Sequence, residues 1–243
     1  MISFIFPAYN EERSLPATVS ATHAAADAVG EPYELVVVDD ASTDQTALVA
    51  RRHGAKVVSV SHRQIAATRN SGARAATGDL FIFVDADTVV HEDVVRAAVK
   101  AVRDGAIGGG AAVEFDGRVP LYVRLLLPLF NRSFRVARWA AGCFLFCTAE
   151  AFAAVGGFNE AYYGAEEIVI SRALQRHGNF VILREVVTTS GRKLRTHSTR
   201  ELLGAVGGLV IRGPKAILQR QGMDFWYAER REDPHGMPGG RAR

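Results

Sequence analysis

Along the first hundred residues, apolar positions cluster in short runs. Ile2-Ser3-Phe4-Ile5-Phe6, Leu35-Val36-Val37-Val38, Lys56 to Val60 and Phe81-Ile82-Phe83-Val84 stand out. Such runs predict strands: the first reads as buried, the third as short, and the Phe81 run, solidly apolar, as buried on both faces. Between them lie longer, alanine-rich amphipathic segments that predict helices, opening near Asn10, Asp44, Gln64 and His91. Pro7 is expected to end the first strand, since proline cannot donate into a ladder. Gly30 and Pro32 stop the first helix, and Ser42, Thr43 and Asp44 are cap candidates for the second. This alternation predicts an α/β fold with a mostly parallel sheet flanked by helices.

Beyond residue 104 the alternation fades. Gly105, Gly108, Gly109 and Gly110 precede a predicted strand, Ala111 to Phe115, and open no helix. The first strand is followed by Pro7-Ala8-Tyr9-Asn10-Glu11 rather than G-x-G-x-x-G, so the dinucleotide fingerprint is missing. Val119 to Ala140 is apolar with interleaved Arg118, Arg124, Arg132, Arg135 and Arg138, and is interrupted by Pro120 and Pro128. It reads either as a packed helix pair with a solvated basic face or as a surface touching a membrane or a lipid-linked acceptor. Further on, the pattern predicts a strand over Gly142 to Cys147 and a helix over Glu150 to Val155. A helix from Glu166 to about His177 and a strand over Phe180 to Thr188 follow. Ser190 to Ser198 reads as a basic loop, Arg200 to Ile211 as a helix and Phe225-Trp226-Tyr227 as an aromatic anchor.

Composition narrows the picture only a little. A formal charge of +3 and a pI near 9.0 suit anionic substrates or an acidic membrane surface and do not indicate nucleic acid. Cys143 and Cys147 form a single C-x-x-x-C, which reads as buried reduced thiols rather than a metal knuckle. The chain starts directly on a strand and has no apolar run of the roughly 18–20 residues that cross a bilayer. The expectation is a cytoplasmic protein, with a peripheral position at the inner face of the membrane as its extension.

The candidate chemistry sits where the fourth apolar run ends, at Asp85-Ala86-Asp87. Residues two apart on an extended chain point the same way, and open α/β sheets bind ligands at the carboxyl ends of their strands. The two carboxylates can therefore serve one hard divalent cation and the phosphates it carries. The competing reading is a loop with an Asp capping the next helix.

Several separated segments share one order and spacing: Pro7-Ala8-Tyr9-Asn10-Glu11, Val38-Asp39-Asp40-Ala41-Ser42-Thr43-Asp44, Arg69-Asn70-Ser71-Gly72-Ala73, Val84-Asp85-Ala86-Asp87, Gly156-Gly157-Phe158-Asn159-Glu160 and Gly164-Ala165-Glu166-Glu167. In this the chain resembles the family 2 glycosyltransferases of GT-A fold over about residues 1–185. Ser190-Gly191-Arg192-Lys193 and Phe225-Trp226-Tyr227 look like a bacterial subgroup of soluble single-domain members.

The resemblance implies one GT-A domain over 1–232, with a nucleotide-sugar-binding half at 1–104, an acceptor half at 105–232 and a disordered tail at 233–243. It implies a metal-dependent, inverting enzyme of hexosyltransferase type that moves a sugar from a UDP- or GDP-sugar to an acceptor hydroxyl, lipid- or glycan-linked. Pro7, Ala8, Tyr9 and Glu11 fall on the base-binding loop. Asp40 falls on the acceptor for the base edge, and Arg69 on a cation near base and phosphates. Asp85 falls on the ribose or metal shell, and Asp87 on the ligand of Mn²⁺ or Mg²⁺. His197 is a candidate third ligand, and Arg192, Lys193 and Arg195 are candidates to clamp the diphosphate. The family's E-D pair reads Glu166-Glu167 here, so Glu167 takes the base position and Glu166 remains its alternative. Two rivals stay open: a nucleotidyltransferase of similar fold and a non-catalytic nucleotide-sugar-binding module.

Overall fold

The computed structural model describes residues 1–196 together with Glu201, Leu218 and Arg220. One eight-stranded sheet runs in the order β3-β2-β1-β4-β7-β6-β8-β5. Its first half is β1 (Ile2–Ala8), β2 (Tyr33–Asp40), β3 (Lys56–Val60) and β4 (Leu80–Val84), all parallel. They alternate with α1 (Leu15–Val29), α2 (Thr46–Arg52) and α3 (Ile65–Ala75). The second half holds β5 (Thr88–Val89), α4 (Glu92–Arg103), β6 (Ala106–Phe115), α5 (Leu121–Ala137) and β7 (Phe144–Thr148). It continues with α6 (Ala149–Ala154), α7 (Glu166–Gln175), β8 (Asn179–Thr189) and the one-turn α8 (Arg192–Thr196). β7 runs antiparallel between β4 and β6, so the parallel half is joined to β6 and β8 through a reversed strand.

Three of the four runs are buried as their pattern requires, whereas β3, at the edge of the sheet, has no buried residue among Lys56–Val60. Phe4, Ile5, Phe6, Val36, Val37, Val38, Ile82 and Phe83 are fully covered, with helices on both faces. Gly72 explains how α3 lies so close to the sheet. A Cβ there would come within 2.3 Å of Ile5 and 2.8 Å of Val38, which no packing tolerates. This close seat carries Arg69 and Asn70 inward.

Several expectations are corrected. Pro7 does not end β1. Pairing to β4 stops at Ile5 while pairing to β2 continues to Ala8, so the proline lies where the strand has lost one neighbour. α1 starts at Leu15, not at Asn10, because Asn10 to Asp44 contacts hold residues 10–12 as a loop: Thr43 N donates to Asn10 Oδ1 and Glu12 N to Asp44 Oδ2. Asp39 and Asp40 belong to β2 rather than to the loop beyond it. The glycines at 108–110 lie inside β6. A Cβ on Gly109 would sit 2.2 Å from the Val181 carbonyl and 2.6 Å from the Phe146 ring, so the strand needs glycine to be flanked by β7 and β8. The predicted helix pair at 119–140 is one helix, α5, with Pro128 inside it and no buried residue. The basic loop after Ser190 contains the turn α8. The predicted helix at 200–211, the 225–227 anchor, the 233–243 tail and His197 lie outside the described residues. Both cysteines are buried thiols, as expected.

Candidate functional site

A cavity of about 390 Å³ opens at the carboxyl end of the parallel strands. It draws Pro7 and Glu11 from the loop after β1, Arg69 from α3, Asp85 and Asp87 from the end of β4, and Glu166 and Glu167 from the first turn of α7. Gly142, Cys143, Tyr163 and Phe130 complete its far wall, and Lys193 comes from α8.

Arg69 is the centre. It is 2% exposed. Its Nη2 donates to Asp85 Oδ1 at 2.9 Å and to the Gly142 carbonyl at 2.7 Å, and its Nη1 donates to Glu166 Oε1 at 2.8 Å. A buried charge needs such partners, and the planar fork of a guanidinium can hold two carboxylates at once. Its Nε meets no acceptor among the described residues. One side chain thus ties β4, the segment before β7 and α7 together.

α7 is fixed from a second side. Asn70, next to Arg69, donates through Nδ2 to the Phe158 carbonyl and to Glu160 Oε1, and its Oδ1 accepts from Phe158 N. Ala165 then turns the chain at φ 58°, a left-handed conformation unusual for alanine, and α7 begins with Glu166 and Glu167. Acids in a first turn suit the helix dipole. Glu166 is consumed by Arg69. No other described residue donates a hydrogen bond to the half-buried Glu167 carboxylate. Burial first, then the charge of Glu166, push Glu167 up to about 8.

Asp87 is held more loosely. Arg192 Nη2 lies 3.4 Å from Asp87 Oδ2 and 3.3 Å from Glu11 Oε1. Burial first, then the charge of Asp87, push Glu11 up to about 8 against the pull of Arg192. The cavity therefore gathers Glu11, Asp85, Asp87, Glu166 and Glu167 against Arg69, Lys193 and the adjacent Arg192. Such an acidic excess suits a cation. Among the described residues no three His, Cys, Asp or Glu converge as a metal cage. Asp85 and Asp87 nevertheless offer the hard oxygens that Mg²⁺ or Mn²⁺ takes from one or two carboxylates when phosphates and water fill its other positions.

Other expected residues fall around this centre. Ala8 is buried in β1, opposite Asp39 of β2. Tyr9 carries the Arg63 guanidinium 3.4 Å above its ring. Asp40 does not offer the open carboxylate expected of a base contact. Its Oδ1 accepts from His62 N and Arg63 N, and its Oδ2 from Gln64 N and Thr68 Oγ1, so it pins the turn that leads into α3. Asp39, beside Asp40 at the end of β2, accepts from Ser42 N through one oxygen. Arg195 turns away to Asp116, so of the three expected clamp residues only Arg192 and Lys193 face the carboxylates.

Comparison with known proteins comes down on one family. Residues 3–154 match the family model described as Glycosyl transferase family 2. An undecaprenyl-phosphate 4-deoxy-4-formamido-L-arabinose transferase of Shewanella sediminis (strain HAW-EB3) is 32% identical over 154 residues, 59% of this chain and 46% of that one. A protein of the same name from Pseudomonas aeruginosa (strain LESB58) is 33% identical over 160 residues, 60% of this chain and 46% of that one. The chain spans about half the length of these curated relatives. Among solved structures, the mannosyltransferase PcManGT from Pyrobaculum calidifontis, in complex with GDP-Man and Mn²⁺, superposes with a TM-score of 0.64 at 24% identity. That match covers 89% of this chain and 67% of the other. S. aureus TarS 1-349 gives 0.63 at 19%, covering 79% and 61%. At these identities the structures share the fold, a GT-A glycosyltransferase fold.

Proposed function

This chain belongs to glycosyl transferase family 2, and on that premise we propose that it transfers a sugar from a UDP- or GDP-sugar to a lipid-linked acceptor, with inversion and with Mn²⁺ or Mg²⁺. Membership in a family of glycosyltransferases sets aside the nucleotidyltransferase and the binding-only readings. The observation that carries the mechanism is the Arg69 bridge: 2.9 Å to Asp85 on one side and 2.8 Å to Glu166 on the other. It supports a donor site and an acceptor site held rigidly against each other, with residues 1–104 serving the first and residues from 105 onward the second.

In this reading Pro7, Ala8, Tyr9, Glu11 and Asp39 form the base and ribose side, and Asp40 shapes it by pinning the turn before α3. Asp87, with Asp85 beside it, holds the metal. A bound divalent cation supplies charge stabilisation to the departing nucleoside diphosphate. Arg192 and Lys193 neutralise the same phosphates. Glu167 takes the proton from the acceptor hydroxyl as its oxygen attacks the anomeric carbon, and Glu166 stays bound to Arg69. Support for the donor comes from neighbours of this fold, one with GDP-Man and Mn²⁺ and one with UDP-GlcNAc.

The relatives' names favour a second reading of the acceptor, a polyisoprenoid phosphate. An ionised phosphate oxygen needs no base, so the two acceptors differ in what they ask of Glu167. Either acceptor places the protein peripherally at a membrane. No described helix is long and apolar enough to cross one.

Melting temperatures with UDP, GDP and their sugars, with and without Mn²⁺, test the proposal. One nucleotide series should raise the melting temperature in an Mn²⁺-dependent way, and Asp87→Ala should remove the metal-dependent part. An unchanged shift in Asp87→Ala would sink the metal assignment, and no shift with any nucleotide would sink the donor assignment.

A further inference from the structure

Seventeen residues of α5 bury nothing fully, and the helix nevertheless sits in a defined orientation. β7 pairs with β6 only at Gly108 to Gly110, which leaves the Val113 peptide groups beyond its end. Asn131 takes them: its Oδ1 accepts from Val113 N at 3.1 Å and its Nδ2 donates to the Val113 carbonyl at 2.9 Å. Arg135 Nη2 adds a bond to the Leu183 carbonyl at 3.2 Å. Val123, Leu127, Asn131 and Phe134 recur at helical spacing and make the inner, half-buried face. The outward side is thereby fixed, and it carries Leu121, Leu125, Leu126, Leu129 and Val136. Leu125 is 69% exposed, Leu129 63% and Val136 77%. Scattered apolar residues on a surface need no explanation, whereas a contiguous helical face of this kind does.

We infer that this face of α5 docks on an anionic lipid bilayer. Charge selects that occupant. From Gly117 to Ala149 the sequence holds Arg118, Arg124, Arg132, Arg135 and Arg138 and no acidic residue. By helical spacing Arg124 and Arg135 run along one border of the apolar face, and Arg132 lies within it between Leu125, Leu129 and Val136. Leucines entering the acyl boundary beside arginines at the headgroups are the chemistry of an interfacial helix. A second copy of the chain would set the same positive segment against itself. Phe130, one position along from Leu129 on the same helix and stacked on Phe134, turns inward to the wall of the catalytic cavity. An acceptor rooted in the bilayer therefore enters beside Phe130, which links the docking surface to the proposed transfer and, for that purpose alone, rests on it.

Co-sedimentation of the full chain with vesicles tests this. Vesicles of phosphatidylcholine with phosphatidylglycerol should pull the protein down at low salt and release it at high salt, while phosphatidylcholine alone retains little. The double variant Leu125→Glu/Leu129→Glu should stay in the supernatant with its melting temperature unchanged. Arg124→Ala and Arg132→Ala should each weaken partitioning about fivefold. Failure of the wild type to bind anionic vesicles overturns the inference, as does full binding by the leucine double variant. A concentration-dependent dimer that the leucine variant breaks, without vesicle binding, assigns the face to a second copy instead. The nucleotide-induced melting shift is read in the same samples. If vesicle binding fails and that shift persists, the docking inference falls and the transferase reading stands. Vesicle binding without any nucleotide response gives the opposite outcome.

Discussion

Arg69 and Arg192 each face two carboxylates across the same cavity, the first from within the packed layer of α3 and the second from the single turn α8. Arg69 is 2% exposed and holds three acceptors at 2.7–2.9 Å. The Arg192 side chain is 17% exposed and reaches Glu11 and Asp87 at 3.3 and 3.4 Å. The difference separates two tasks that a list of charged residues would merge. Arg69 holds the frame between donor-side and acceptor-side carboxylates. Arg192 is a partly exposed cation beside Glu11 and Asp87, where the proposed function would seat the donor's diphosphate.

Removing Arg69 should have the largest effect. Arg69→Met leaves Asp85 and Glu166 partly buried without their cation, and breaking a buried pair in this way costs about 3–5 kcal/mol. Urea unfolding should show that loss, and transfer should disappear with it. Arg69→Lys sharpens the point, because an ammonium keeps the charge but lacks the two-sided fork. If Arg69→Lys keeps wild-type stability and activity, the bridge is not what aligns the two halves.

Glu167→Gln comes next, and it should separate catalysis from stability. With a hydroxyl acceptor, loss of the base should lower turnover by about 10²- to 10⁴-fold while the donor-induced melting shift is kept. A variant that transfers normally would favour the phosphate acceptor, which needs no proton removed. The pH dependence has a definite sign. Glu167 is raised to about 8 in the folded protein from an ordinary value of 4.5, so the native state binds the extra proton between those values. Its contribution to stability is present below pH 4.5 and is lost as pH rises through 8. The variant should therefore gain stability relative to wild type as pH rises through that window. A constant difference from pH 5 to 8.5 would contradict the raised Glu167.

How much of this was legible in the chain follows from which forces are local. The four parallel strands could be read because each is a short, mostly apolar run between helical segments, and β3 lies at Lys56–Val60 as that pattern predicts. Asp85, Asp87, Glu166 and Glu167 were legible as carboxylates at element ends, and the structure brings all four to one cavity. Asp40 was assigned to the base because its neighbourhood matched a motif. Its four hydrogen bonds come from residues 62–68, more than twenty positions away, and nothing local announces them. The glycines of β6 were excluded from the strand by propensity, whereas the closeness of Phe146 and Val181 makes glycine a requirement there. For α5 the apolar run with its interleaved arginines left both a packed helix pair and a membrane-touching surface open. Composition cannot say which face a tether such as Asn131 will turn outward.

The smallest effect belongs to Arg192, and it decides whether the contrast between the arginines is real. A partly exposed ion pair contributes about 0–1 kcal/mol, because solvent screens it and the side chain must be ordered to form it. Both Arg192 contacts are also near the long limit for a charged hydrogen bond. Arg192→Ala should therefore shift unfolding by no more than about 1 kcal/mol. The diphosphate is a different matter. A guanidinium on phosphate oxygens is a charge-assisted contact of about 1.5–3 kcal/mol, so donor affinity should fall by roughly ten- to a hundredfold. Titration of the nucleoside diphosphate into both proteins, with Mn²⁺ present, measures this directly. Equal affinities would mean that Arg192 only quiets Glu11 and Asp87 until a ligand arrives. A stability loss as large as that of Arg69→Met would mean that both arginines hold the frame, and the division between them would be gone.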